Sequence, residues 1–229
     1  MAIEKYRLLV TDITEFGSLR CVAGWDLDRQ VMIRPEPHPA GFWPATATGA
    51  RREFAVGNVI EFEGQLPDPA TPYPHLTEDR IVCGLVARST ITLSAAERTR
   101  VLARTLSQSI ADIFSGQMQR TGRGGFVPEG IRSRSLGAIE TDPSAVRFWE
   151  DTSKDKKRPR CIISGTGGQM DLSVTSLALR ELHRKGGIDA VIASVRQASR
   201  LHLRIGLARA FSAQPGRCYV QVNGIEIAR

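Results

Sequence analysis

For most of its length the chain places apolar residues in short, partly alternating runs, the period of half-buried strands rather than of helices. "YRLLVTDIT" (6–14) and "SLRCVAGWDL" (18–27) are aliphatic or β-branched, and "QVMIRP" (30–35) ends at Pro35, Pro37 and Pro39. A long irregular loop, "EPHPAGFWPATATGARREF", precedes "VGNVIEFEG" (56–64), whose alternate positions are Val56, Asn58, Ile60 and Phe62. The proline-rich "QLPDPATPYPHLTEDR" then leads into a further strand, "RIVCGLVA" (80–87).

Helical periodicity is convincing in one place. "SAAERTRVLARTLSQSIADIFSG" opens with Ser94 and Glu97 in capping-box spacing and closes on Gly116, where a C′ glycine belongs. Leu102, Leu106, Ile110 and Ile113/Phe114 recur at helical spacing, so the pattern predicts one packing helix over about 94–115. "QRTGRGGFVPEGIRSRS" follows, basic and glycine-rich, and reads as a flexible boundary between halves. Strands then resume with "LGAIETD", "VRFWED", "RPRCIISG", "MDLSVT", "LHLRIGLARAF" and "RCYVQVNGIEI". Between them, 175–196 reads as one or two short helices broken at Gly186-Gly187.

The two halves repeat one device. "CVAGWDLDRQVMIRP" (21–35) and "CIISGTGGQMDLSVT" (161–175) are both strand–turn–strand segments entered through Arg-Cys, at Arg20-Cys21 and Arg160-Cys161. The expectation is a mainly β chain with a few helices, forming two OB-like antiparallel barrels. The first spans 1–118 and carries the packing helix; the second spans 119–229. A five-stranded Greek-key barrel fits this strand count, though an SH3-like barrel or a single sandwich shares the pattern.

Composition narrows the classes. A chain of 229 residues with 41% hydrophobic content can bury cores, which excludes disorder as a default. No basic-then-apolar leader and no apolar run long enough to span a bilayer is present, so the sequence reads as soluble, cytoplasmic and without membrane contact. Cys21, Cys83, Cys161 and Cys218 are too far apart for paired zinc ligands, and three of them follow an arginine inside an apolar stretch. They are expected as reduced, buried strand cysteines. The formal charge of +7 suits a polyanionic partner or an anionic surface.

Several of these phrases together resemble the dual OB-containing domain family of prokaryotes. The resemblance rests on Arg20, Cys21, Ala23, Gly24, Ile33, Arg34 and Pro35 near the start. It rests also on "IGLARAF" and "CYVQVNGI" near the end, and more loosely on the middle "SLGAIE…RFWED…CIISGTGGQMDLSVT". "TEFGS" stands where the family would place a basic first loop. The resemblance implies two OB-folds with the repeated hairpin as strands two and three of each. It also implies nucleic-acid binding, a setting beside defence or mobile-element genes, and no established catalytic residues.

Binding of a single strand needs cations along phosphates and flat side chains under bases. Two segments supply candidates. Trp25, Arg29 and Arg34 lie in the first hairpin, with Trp43, Arg51 and Arg52 in the long loop; either tryptophan equally suits the plug of a barrel end, and Arg34 a pair with Glu36. "KDKKRPR" adds Lys154, Lys156, Lys157, Arg158 and Arg160, which also suit a solvated connection. Arg196, Arg200, Arg204 and Arg209 recur along a segment that is partly strand, so they form no helical face.

"GRGG" and "GTGG" lack the Gly-Lys-Ser/Thr of a phosphate loop, and no G-x-S-x-G elbow occurs. His75, Glu78, Asp79 and Arg80 gather in one loop without a second ligand cluster, so no cofactor or metal is expected. The function expected is non-enzymatic nucleic-acid binding to single-stranded or structured RNA or DNA. The alternatives are a protein-interaction module and, behind it, a nucleotide or metal sensor built on His75, Glu78 and Asp79.

Overall fold

The computed structural model describes residues 2–38, 41–49, 52–153, 157–165 and 168–228. The chain divides into two compact units, Met1–Thr105 and Leu106–Arg229.

The first unit contains β1 (Glu4–Phe16), β2 (Leu19–Asp26), β3 (Val31–Glu36), β4 (Trp43–Pro44), β5 (Val59–Gln65), β6 (Asp79–Val82), β7 (Ala87–Arg88) and α1 (Ala95–Ala103). Strand order β1-β2-β3-β6-β5 closes into a barrel because β1 pairs with both β2 and β5. Neighbours run antiparallel except β3 and β6, which are parallel. One parallel contact closing an otherwise antiparallel five-stranded Greek key is the OB architecture.

A single long strand serves two neighbours only if it bends. In β1 the residues up to Leu9 pair with β5 and those from Leu8 onward with β2, and the β2 register slips between Val10 and Asp12. Such an irregularity coils a strand and helps a barrel close. Gly24 lies opposite Val10 at the slip, and a Cβ there would stand 2.2 Å from the Leu9 carbonyl oxygen. Leu8, Val22, Ile33 and Ile60 fill the interior with no exposed surface, and the Tyr6 and Phe62 rings stack at 5.1 Å.

The parallel seam carries a buried ion pair. Arg34 in β3 lies in register with Asp79 in β6, and the guanidinium meets the carboxylate with side chains 4% and 0% exposed. Desolvation pulls the Arg34 guanidinium down. Asp79, then Cys21, Glu78 and Glu36, nevertheless hold its pKa above the ordinary value.

The second unit contains β8 (Leu106–Ser107), α2 (Ile110–Ile113), β9 (Gln119–Thr121), β10 (Gly124–Pro128), β11 (Leu136–Thr141), β12 (Val146–Asp151), β13 (Arg158–Gly165), β14 (Gly168–Val174), α3 (Leu177–Val195), β15 (Arg200–Leu207) and β16 (Arg217–Ala228). Its order, β12-β13-β14-β16-β15-β11, repeats the first unit's, with β14 and β16 as the parallel pair. Here the bent first strand is cut in two. β11 pairs with β15 and β12 with β13; between them Asp142 accepts from the Ser144 N–H at 2.8 Å and starts a single 3-10 turn at Pro143. The repeated Arg-Cys hairpins, β2–β3 and β13–β14, are therefore strands two and three of two OB-folds.

Three expectations are corrected. The helix over 94–115 is two short helices separated by β8. The Ser94–Glu97 capping box forms, but α1 stops at Ala103, and the Thr105 hydroxyl donates to the Leu102 carbonyl. Leu106 and Ser107 then pair with Ala138 and Ile139 of β11, while Ser109 caps α2 by accepting from the Asp112 N–H. Ile113 and Phe114 are still fully buried, so the apolar stripe belongs to a core without belonging to one helix.

The segment expected as a flexible boundary is the β9–β10 hairpin. Gly122, at φ +53°, turns it, and β10 pairs with β16. The strand expected over 80–87 ends at Val82, and Cys83 beyond it is exposed. Cys161 and Cys218 are buried, Cys21 is intermediate, and none of the four is in a disulfide. Gly186 and Gly187 kink α3 as their pairing predicts. Among the described residues no helix is long and apolar enough to cross a membrane.

Candidate nucleic-acid interface

Strand alternation sorts the second barrel into a core and an outer face. Phe148, Cys161, Ile163, Met170, Leu172 and Val174 join the core cluster. The intervening positions of β12, β13 and β14 point the other way. Three of them, Trp149, Arg160 and Ser173, lie in one cross-strand row.

That row is held by a shared carboxylate. Asp171 Oδ1 accepts from Arg160 Nε at 2.8 Å and from Trp149 Nε1 at 3.2 Å. Arg160 also donates to the Asp171 carbonyl at 2.9 Å and to Ser173 Oγ at 3.2 Å. Its guanidinium carbon stands 5.8 Å from the Trp149 ring centre, within cation–π range. A half-buried indole with its edge fixed presents a flat, preorganised surface, and the buried Ile162 lies on the same side, in register with Arg147 and Asp171. Exposed Arg147 and Arg158 flank the indole, and Arg158 lies in register with Asp151.

On the other side of β12, Glu150 shares the core-side parity of Phe148 and meets α3. His183 Nε2 lies 2.6 Å from Glu150 Oε2, and the 72%-exposed Lys157 pairs with Glu150 Oε1 at 3.1 Å. The hydrogen bond to His183, then that to Lys157, holds the Glu150 carboxyl below its ordinary pKa. Of the basic run, Arg158 and Arg160 lie on the outer face, and Lys157 stands at its rim, paired with Glu150 beside α3. Lys154 and Lys156 lie outside the described residues, as does Arg51.

The first barrel treats its candidates differently. Trp25 sits inside β2, opposite Leu9 and Met32, and is 8% exposed, so its ring offers no free face. Trp43 donates from Nε1 to the Pro35 carbonyl at 2.8 Å and packs at 4.6 Å on the buried Phe54, as a plug does. Arg34 is committed to Asp79. Arg29 bonds Asp26 and Glu4, each at 3.0 Å, and covers the Tyr6 ring at 4.4 Å. Arg52 is exposed, its carbonyl accepting from Asn58 Nδ2.

His75 and Glu78 are buried beside Asp79, and among the described residues no group of three ligand-type side chains could hold a metal ion. Asp79 serves the barrel seam.

Topology makes Arg20 the counterpart of Arg160. Arg20 faces Glu15 across the first two strands, where Arg160 faces Trp149, and pairs with it at 3.2 Å. The same hairpin thus closes on a carboxylate in one barrel and on an indole in the other. An aromatic is nevertheless exposed in the first barrel: Phe16, 71% exposed, stacks on Phe42 at 6.0 Å.

The family model described as a dual OB-containing domain matches residues 8–225. The chain belongs to that family. The match runs through both barrels, which agrees with the repeated strand order. No curated protein matches the chain. OB-folds as a class bind oligonucleotides or oligosaccharides across strands two and three and the flanking loops. In this dual OB protein Trp149, on the first-strand segment β12, lies beside the strand-two–strand-three face of the second barrel.

Proposed function

We propose that this dual OB protein binds single-stranded nucleic acid on the outer face of β12, β13 and β14. A base stacks on Trp149 while Arg147, Lys157 and Arg158 neutralise phosphates, with little readout of base identity. The observation that carries the reading is the fixed Trp149: its indole is held by Asp171 and backed by Arg160. The family's architecture is compatible with the same activity, and the formal charge of +7 favours it.

The test is fluorescence anisotropy of labelled single strands across a salt series. Each phosphate contact contributes about 0.7 to the slope of log affinity against log salt for single strands. Replacing both Lys157 and Arg158 with Ala should flatten that slope by roughly 1 to 1.5. An unchanged slope would remove these cations from the interface.

A protein-interaction role is the second reading, favoured by the exposed Phe16 stacked on Phe42 beside Leu19, which is 37% exposed. It predicts salt-insensitive capture of a partner that Phe16→Ser abolishes.

A further inference from the structure

The outer face of the second barrel continues beyond β14. Ser173 pairs with Gln221 of β16, so the row Trp149, Arg160, Ser173 extends onto the fifth strand. Along β16, Cys218, Val220 and Val222 enter the core, which leaves Arg217, Tyr219 and Gln221 on the outer side. Phe126 of β10 pairs with Tyr219, their rings 5.9 Å apart, and the Arg217 guanidinium stands 4.8 Å over Phe126. One face therefore holds two arginine–aromatic pairs, Arg160 with Trp149 and Arg217 with Phe126.

The two pairs differ in charge. Around Trp149 the arginines meet Asp151 and Asp171, so that half is close to neutral. The segments building the other half contain no carboxylate: no Asp or Glu occurs between Asp112 and Glu129, or between Asp189 and Glu226. They carry Arg120, Arg123 and Arg217, all exposed. The hairpin is tied to the face at β14, where the Arg123 carbonyl accepts from the Asp171 N–H at 2.7 Å and Arg120 donates to the Gln169 carbonyl at 2.5 Å.

We propose that Arg217 and Tyr219, with Arg123 at the hairpin turn, form a second subsite for the same ligand. Tyr219 takes a base, and Arg217 and Arg123 take phosphates. The ligand is then a single strand long enough to reach from Trp149 on β12 to Tyr219 on β16, three strand spacings across and two residues along from Gln221, at least about 16 Å in all. This inference rests on the nucleic-acid reading above and adds a length requirement to it.

The experiment compares a four-nucleotide and a twelve-nucleotide oligothymidylate, and a duplex, by anisotropy with the full chain. The native protein should bind the longer strand more tightly. An Arg217→Ala, Tyr219→Leu double variant should lose that gain, about five-fold or more for one stacked base. Its salt slope should also fall by about 0.7. Leu at 219 keeps an apolar contact with Phe126, and an unchanged melting temperature separates lost binding from lost folding. A native protein that binds neither strand at low salt would overturn the nucleic-acid reading itself. Native binding with the length gain and slope intact in the double variant would overturn the second subsite alone. Duplex bound as tightly as the single strand would overturn the single-strand class of ligand.

Discussion

Trp149 and Arg160 face each other across β12 and β13, and a single oxygen, Asp171 Oδ1, accepts a hydrogen bond from both. The indole's orientation is thereby set before any ligand arrives. An aromatic surface fixed in advance forfeits little side-chain entropy on binding, so more of the stacking energy appears as affinity. The topologically matching hairpin of the first barrel uses the same arginine, Arg20, to bind Glu15 instead. Two copies of one fold have thus kept a strand pairing and diverged in what it presents.

The buried Arg34–Asp79 pair makes the first barrel sensitive at its parallel seam. Asp79→Ala leaves a guanidinium in a site where its side chain is 4% exposed, and breaking such a pair costs about 3–5 kcal/mol. Chemical denaturation should register that loss. A loss below about 1 kcal/mol would mean that the pair does not hold β3 to β6.

Gly24 is required by the close approach of β2 to β1. A methyl group there would press on the Leu9 carbonyl, so Gly24→Ala should destabilise by about 1–3 kcal/mol through forced backbone shifts. Gly84→Ala is the control, since a Cβ there meets nothing within 4 Å. Equal melting temperatures for the two variants would contradict this account of the barrel's closure.

Glu150 gives the second barrel an acid-sensitive contact. Its folded pKa is depressed, by His183 first and Lys157 second, so its contribution is complete above the ordinary carboxylate value of about 4.3. It is lost as pH falls through the lower folded value. Thermal melts between about pH 5 and pH 3 should therefore fall less steeply for Glu150→Gln than for the native chain. Parallel curves would show that the contact is absent in solution.

The four thiols should separate by reactivity. Burial first, and then the nearby Asp171 charge, pushes Cys161 up to about 12, and Cys218 is fully buried. Cys83 is exposed. Alkylation of the native protein near pH 8 should modify Cys83 and spare Cys161 and Cys218 until unfolding. Modification of Cys161 at the rate of Cys83 would mean that this core opens readily.

Much of the strand architecture was legible because short apolar runs between turn residues report it directly: "VRFWED" is β12 and "RPRCIISG" is β13 in full. The helix over 94–115 was misread because Leu106 satisfies helical spacing and strand pairing equally. Ser109 and Asp112, a second cap signal, mark the break. The β9–β10 hairpin is hidden by its composition, since glycines that suggest a linker also leave room for packing: a Cβ on Gly125 would stand 3.0 Å from Met118 and from Met170.

The candidate site was partly legible. The basic run led to Lys157, Arg158 and Arg160, whereas Trp149 went unnoticed although alternation with Phe148 turns it outward. Trp25 lies within the strand expected over 18–27, but its strand position alone does not say which way the ring points, and β2 carries the indole inside. Nothing local in sequence reports Asp171 as the group that joins Trp149 to Arg160, because that contact exists only once β14 lies beside β13.

The most direct measurement is the affinity of the native chain and of Trp149→Ala for one labelled single-stranded oligonucleotide at fixed low salt. Stacking of one base is worth about 1–3 kcal/mol, so the variant should bind roughly 5- to 150-fold more weakly with its fold intact by circular dichroism. Equal affinities would contradict the central claim that the outer face of β12, β13 and β14 receives the strand.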